Sequence, residues 1–162
     1  MTHAVTFRRL QPTDLPAVAA LESDLHIHPW SPAQIHAVAQ QLSANYVAWV
    51  GEQGGDVCAY LIMQTAFDEC EILTIGVAQH LQGQGIGQQL WQHAWHDVRQ
   101  AQPLITTCFL EVRASNLAAQ AMYQKCGFSN VGTRKNYYSQ PNSTHREDAF
   151  IWQKNDHTAT PS

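Results

Sequence analysis

Apolar and polar positions change period several times along the chain, and each change marks an element. From Tyr46 to Glu52 and from Val57 to Gln64 run two β-rich stretches, split by Gln53-Gly54-Gly55-Asp56, which predicts a hairpin. Asp68-Glu69 then turns the chain into Glu71-Ile-Leu-Thr-Ile-Gly-Val77, apolar and β-branched as a buried strand should be. Farther on, Ile86, Leu90, Ala94 and Val98 recur at every fourth position, one stripe of an amphipathic helix. Pro103 breaks that pattern, and Thr106 to Val112 returns as a strand. A strand, a crossover helix and a strand predict a parallel pair with a right-handed connection.

The flanks are read in the same way. Val5 to Arg9 predicts a first strand, and Thr13-Asp14 a helix cap, with Pro16 in the first turn and the helix running to about Ser23. Ser31-Pro32-Ala33-Gln34 has the serine, proline and glutamine of a capping box, so a second helix begins there. Between the two, His28-Pro29-Trp30 reads as an exposed turn, with Trp30 either stapled onto the second helix or touching substrate. Ser115-Asn116 caps a helix from about Leu117 to Cys126, ended by a left-handed Gly127. Ser129 to Asn136 and Glu147 to Gln153 predict two antiparallel strands around the polar loop Ser139 to His145, and from Asn155 onward there is nothing to pack, so a frayed tail is expected.

Composition narrows the classes. The 162 residues suit one domain, and 44% hydrophobic against 14% charged residues argues for a folded globule. No apolar run nears the ~20 residues of a membrane helix, and the start carries no secretory pattern, so a cytoplasmic protein without a membrane partner is expected. Cys58, Cys70, Cys108 and Cys126 lack C-x-x-C spacing and read as reduced, buried thiols. A formal charge of −4 argues against direct nucleic-acid binding and suits a cationic substrate. Nine histidines, including His26-x-His28 and His93-x-x-His96, raise a metal site, but no Cys or carboxylate falls at ligand spacing, so none is expected.

Chemistry concentrates at Gln82-Gly83-Gln84-Gly85-Ile86-Gly87, between the strand ending at Val77 and the helix. Glycines at alternate positions let a ligand approach the backbone. The first helical turn, with about half a positive charge of dipole, suits a phosphate or pyrophosphate. Gln88-Gln89 replaces the Lys-Ser/Thr of a P-loop, and Gln88 stands where a Rossmann fingerprint has its third glycine. What remains, Gln-x-x-Gly-x-Gly after a strand, resembles the pyrophosphate loop of the GNAT-type N-acetyltransferases; a helix start that merely needs flexibility is the plainer alternative.

The resemblance extends to Leu110-Glu-Val-Arg-Ala-Ser-Asn116, followed by Ala119, Ala121, Tyr123 and Gly127-Phe128. Lys135-Asn-Tyr-Tyr138, Arg146-Glu-Asp-Ala149 and His28-Pro-Trp-Ser31 are similar to the RimI branch, which acetylates the amino-terminal alanine of a small-subunit ribosomal protein. Departures are Lys135 in place of a usual arginine, a slightly long loop before Arg146, and the tail. The resemblance implies an α/β GNAT-type acyl-CoA N-acyltransferase fold over residues 1–154, with about seven strands in a mixed central sheet, about four helices on both faces, and a disordered 155–162.

It further implies acetyl-CoA as cosubstrate. Ile75, Gly76 and Val77 would pair with the pantetheine arm, Gly83, Gln84, Gly85, Ile86, Gly87 and Gln88 would hold the pyrophosphate with Gln82 opening the loop, and Asn116 would touch CoA besides capping its helix. Glu111 is similar to the family's base and Tyr123 to its acid. Read from the residues alone, Glu111 could instead pair with Arg113, and Tyr123 could fill the core. Tyr137 and Tyr138 would line the peptide groove, unless strand propensity explains both. A protein N-terminus is the implied partner; a lysine or small-amine acetyltransferase and a non-catalytic CoA sensor are the rivals.

Overall fold

The computed structural model describes residues 4–42, 45–140 and 143–156. Along the chain come β1 (Thr6–Arg9), α1 (Leu15–Leu25), α2 (Pro32–Ala39), β2 (Tyr46–Gln53), β3 (Asp56–Ala66), β4 (Glu69–Val77), α3 (Ile86–Ala101), β5 (Thr107–Arg113), α4 (Leu117–Lys125), β6 (Ser129–Ser139) and β7 (Arg146–Asn155). The strands form one 7-stranded sheet in the order β1-β2-β3-β4-β5-β7-β6. Among the described strands β4 and β5 alone pair in parallel, joined by the predicted crossover through α3, and the other strand pairings are antiparallel.

Helices cover both faces, which is why β2 and β3 read as nearly continuous apolar runs rather than as alternation. Val47, Trp49, Ala59, Leu61 and Met63 point to one side and meet Leu90, Trp91, Ala94 and Val98 of α3. Ala48, Val50, Tyr60 and Ile62 point to the other and meet Val18 of α1 and Ile35 of α2. The sheet is thus a wall between two cores. The stripe expected on α3 is the buried one, widened by Trp91 and Trp95, while His93 and His96 face solvent. All four cysteines are buried and unbridged.

Local signals held at α2, where Ser31 and Gln34 complete the capping box, and at Gly127, whose φ is +94°. Elsewhere tertiary contacts won. The Asp14 side chain does not cap α1: a 3-10 turn (Pro12–Asp14) precedes the helix, and Arg8 of β1 donates to the Asp14 carboxylate at 2.7 and 2.9 Å. The expectation that nothing packs from Asn155 onward fails for its first residues. Asn155 ends β7, and Asp156 accepts from Trp95 Nε1 at 3.0 Å and pairs with Arg99 at 3.1 Å. Expectations for Met1–His3, residues 141–142 of the polar loop and 157–162 lie outside the described residues.

The Arg8 guanidinium holds the Asp14 carboxyl below the usual carboxylate range. A lowered folded-state pKa gives stabilisation that is complete above the unfolded value of ~3.9 and lost as pH falls through the folded one. Asp14→Asn should therefore reduce stability by about 1.5–3 kcal/mol at pH 7, with the deficit shrinking once pH drops below ~3.9. Urea unfolding at several pH values checks this; a deficit that ignores pH would contradict it.

Candidate active site

The parallel pair is left unfinished. Glu69, Cys70 and Glu71 are in register with Thr107, Cys108 and Phe109, and there the ladder stops, although β4 runs on to Val77 and β5 to Arg113. A bulge helps to part them: Ile62 pairs with Thr74 and Met63 with Ile72, so Leu73 has no partner on β3 and β4 bends. The gap opens into a cleft of about 1130 Å³ lined by both strands and by the beginnings of α3 and α4. Along it, β4 presents backbone groups that β5 does not take up, a strand edge open to an extended amide-bearing ligand.

One end of the cleft is the glycine loop. Gly83 and Gly85 both have φ +80°, and Gly85 forms the N-cap of α3. A Cβ on either would meet nothing within 4 Å, so these glycines serve conformation. Gly87 serves packing instead, because a Cβ there would stand 2.6 Å from Met122 Sδ of α4. Gln82 braces the turn by donating from Nε2 to the Val77 carbonyl at 3.0 Å. Gln89 makes the first bond inside α3, to Gly85 O at 3.1 Å, and the N–H groups before it are left for an anion.

Glu111 and Tyr123 reach the gap from opposite faces. Glu111 alternates with Leu110 and Val112, which lie in the α3 core, so its carboxylate stands on the α1–α2 side. Its Oε1 is 3.0 Å from Arg134 Nε, and Arg113 is engaged elsewhere, with Glu147 at 2.9 Å and over the Tyr138 ring at 4.4 Å. The alternative Glu111–Arg113 pair is therefore replaced by Glu111–Arg134. Tyr123 projects from α4 through the α3 core, edge-on to Phe128 at 5.6 Å, and borders the cleft. Burial first, then Cys108, Cys126 and Tyr138, push its phenol well up, which keeps its proton in place. Asn116 caps α4 by accepting from Ala119 N at 3.2 Å, and it also lines the cleft.

The α1–α2 connection and β6 flank the other end. Arg134 pairs with Ala149 and Tyr138 with Glu147, so Lys135, Asn136 and Tyr137 bulge opposite Asp148 alone. Asn136, at φ 54°, is pinned there by donating from its N–H to Asp148 Oδ1 at 2.9 Å. The bulge throws Tyr137 outward over Arg134 and leaves Tyr138 turned in. Trp30 packs against the α1–α2 core and also lines the cleft. Of all the residues expected at the site, Gln84 alone does not border the cleft.

The sequence offers no signal for Arg134 beyond its place directly before the Lys135-Asn-Tyr-Tyr138 motif and none for Glu22 of α1; His26, four residues on at the C-cap of α1, stood out only in His26-x-His28. A smaller groove of about 260 Å³ adjoins the cleft and gathers Glu69, Glu71, Glu111 and Arg134. Desolvation and then Glu111 push the Glu71 carboxyl up, while Arg134 pulls it back. Asp68 does not line this groove, and its carbonyl accepts from Thr106 N at 3.0 Å. No cluster of three or more His, Cys, Asp or Glu able to hold a metal occurs among the described residues.

Comparison with known proteins agrees with this geometry. Residues 15–128 match the Acetyltransferase (GNAT) family. The [Ribosomal protein bS18]-alanine N-acetyltransferase of Escherichia coli (strain K12) is 36% identical over 146 residues, which are 90% of this chain and 94% of that protein. The N-alpha-acetyltransferase RimI of Mycobacterium tuberculosis is 35% identical over 85% of this chain and 86% of its own. The crystal structure of the Escherichia coli ribosomal-protein-S18-alanine N-acetyltransferase superposes with a TM-score of 0.85 at 33% identity, covering 98% of each chain. That of Arabidopsis thaliana NAA60 with acetyl-CoA gives 0.79 at 17% identity, over 94% of this chain and 98% of that one, and shows the fold alone.

The shared groove predicts a titration. In Glu111→Gln the Glu71 carboxyl should titrate at lower pH than in the unaltered protein, because the repelling charge is gone; in Arg134→Gln it should titrate higher. Carbon-detected NMR of the glutamate carboxyls reads both. An unmoved Glu71 in the two variants would separate it from the site.

Proposed function

We propose, for a chain that belongs to the GNAT family and is an N-acetyltransferase, that it moves acetyl from acetyl-CoA to the α-amine of an amino-terminal alanine, of a small-subunit ribosomal protein. What carries this reading is a carboxylate and a phenol meeting the β4–β5 gap from opposite faces. A cosubstrate on one side and an acceptor on the other can then react through it. GNAT acetyltransferases use acetyl-CoA, and the fit here is chemical: free N–H groups at α3 for pyrophosphate, and the open edge at Ile75, Gly76 and Val77 for the amides of pantetheine.

The chain's own groups then divide the reaction. Gly83 through Gln88 and Asn116 hold the carrier, while Tyr137, Tyr138 and Trp30 wall the channel through which the peptide end arrives. Glu111 accepts a proton from the nitrogen as it attacks, and Arg134 swings aside or takes a peptide carbonyl when the Glu111 pair opens. Tyr123, kept protonated by burial, donates to the departing sulfur. Glu69 and Glu71 favour cationic residues after the first alanine.

The choice of amine follows from protonation. An α-amine titrates near ~7.7–8.0 and a lysine near ~10.4, so at neutral pH freeing the lysine nitrogen costs about 3–4 kcal/mol more. A peptide with a free amino-terminal Ala followed by Arg-rich sequence should be acetylated there, and its blocked counterpart with one internal lysine at least ~100-fold more slowly at pH 7. Glu111→Gln should lower kcat roughly 10²–10⁴-fold with acetyl-CoA affinity little changed, recovering in part at high pH. Mass spectrometry of the two peptides decides: equal rates would favour the lysine or small-amine reading, and no transfer to any amine despite CoA binding would favour a sensor.

A further inference from the structure

Beneath the cleft lies a buried carboxylate with no part in the scheme above. Glu22 of α1 is 2% exposed and accepts three hydrogen bonds: from Tyr60 OH at 2.8 Å and Thr74 Oγ1 at 2.5 Å onto Oε1, and from Trp30 N at 2.9 Å onto Oε2. His26, one helical turn on, brings Nε2 to 3.0 Å from Tyr60 OH, 3.3 Å from Thr74 Oγ1 and 3.4 Å from Glu22 Oε1. Burial beside Glu22 pushes the Tyr60 phenol far up, so it stays a donor.

Counting hydrogens fixes the histidine. A carboxylate has none to give, so the single protons of Tyr60 and Thr74 are both spent on Glu22. Neither hydroxyl has one left for His26, and Nε2 must itself carry the hydrogen and donate to their oxygens. In a neutral imidazole that leaves Nδ1 as a bare lone pair. Nδ1 has no hydrogen-bond partner among the described residues, the side chain is 35% exposed, and the ring borders the cleft.

The reaction has a use for such a group. An ammonium and a thioester become an amide, a thiol and a free proton, so the nitrogen sheds two protons: one before attack and one after the N–C bond forms. Glu111 can hold one at a time. We propose that His26 Nδ1 is a second proton acceptor, taking the first proton from the substrate's α-ammonium directly or through one water, with Glu22 steadying the imidazolium from behind. This rests on the reading of an α-amine substrate. The N–H bond of the ammonium breaks, its electron pair stays on nitrogen for attack, and the proton moves to Nδ1. Carboxylates titrate near ~4.3, imidazoles near ~6.5 and α-amines near ~7.7–8.0, so an imidazole takes that proton with the smaller mismatch. The groups facing the ring are Glu22 from α1, Tyr60 from β3 and the uncharged Thr74 from β4; His28, next on the loop, turns to Ser139 Oγ at 3.1 Å.

Two measurements test it. In His26→Gln the amide nitrogen can replace the Nε2 donor while the basic lone pair is lost. With the Ala-initial peptide, kcat should fall at least ~10-fold at pH 7 and approach that of the unaltered protein above pH ~9, where the amine is already free, with KM for acetyl-CoA unchanged. An unchanged kcat, or a loss equal at every pH, would overturn the proposal. Nitrogen-15 NMR of the unaltered protein at pH 8 should find His26 with its hydrogen on Nε2; a hydrogen on Nδ1 would overturn it even if the variant does not fold. Should the unaltered protein leave the Ala-initial peptide unmodified, the α-amine reading fails instead, and the tautomer still reports on the Glu22 network.

Discussion

The site depends on a ladder that stops. After the rung between Glu71 and Phe109, β4 and β5 part, and the polar backbone groups each would have offered the other are left over. An unpaired buried donor or acceptor costs about 1–3 kcal/mol, so a sheet tolerates such a gap only where water or a ligand reaches it. Here the Leu73 bulge turns β4 away, while β5 keeps its full register with β7 through Arg113 and Ala149. The opening is a property of the strands themselves, and the two helical layers keep it from closing by packing the sheet on both faces.

Everything chemical is arranged around that gap according to face. Alternation along β5 sends Leu110 and Val112 into the α3 core and Glu111 to the opposite side, where Glu71, Arg134 and the α1–α2 elements gather. Tyr123 comes up from the core side, dry enough to stay protonated. On the reading proposed above, proton acceptors would stand on the wall where an amine enters, and the donor on the wall where sulfur would leave. The same alternation makes Gly76 necessary, since a Cβ there would lie 2.8 Å from both Tyr60 OH and Leu25 Cδ1, inside the network that holds Glu22.

Much of this was legible because it is local. The period of α3, the capping box at Ser31, the left-handed Gly127 and the strand on each side of the glycine loop are short-range consequences of residue type, and they fix the crossover that creates the parallel pair. The site residues named through the motif resemblance border the cleft, except Gln84, which is exposed and does not line it. What escaped lies between residues far apart in sequence. Arg8 claims Asp14 from β1, Asp156 is held by Trp95 and Arg99 of α3, and Arg134 of β6 reaches Glu111 of β5 over the intervening β7. The Glu22 network likewise needs Tyr60 and Thr74 brought together by the β3–β4 register.

The claim that the unfinished edge of β4 receives the cosubstrate is tested most directly by amide hydrogen exchange with and without acetyl-CoA. Exchange between Leu73 and Val77 and at the start of α3 should slow on addition, while the β2–β3 amides, already paired, should not change. Unaltered exchange along β4 while acetyl-CoA is bound would contradict the account, because the ligand would then lie somewhere other than the gap between the parallel strands.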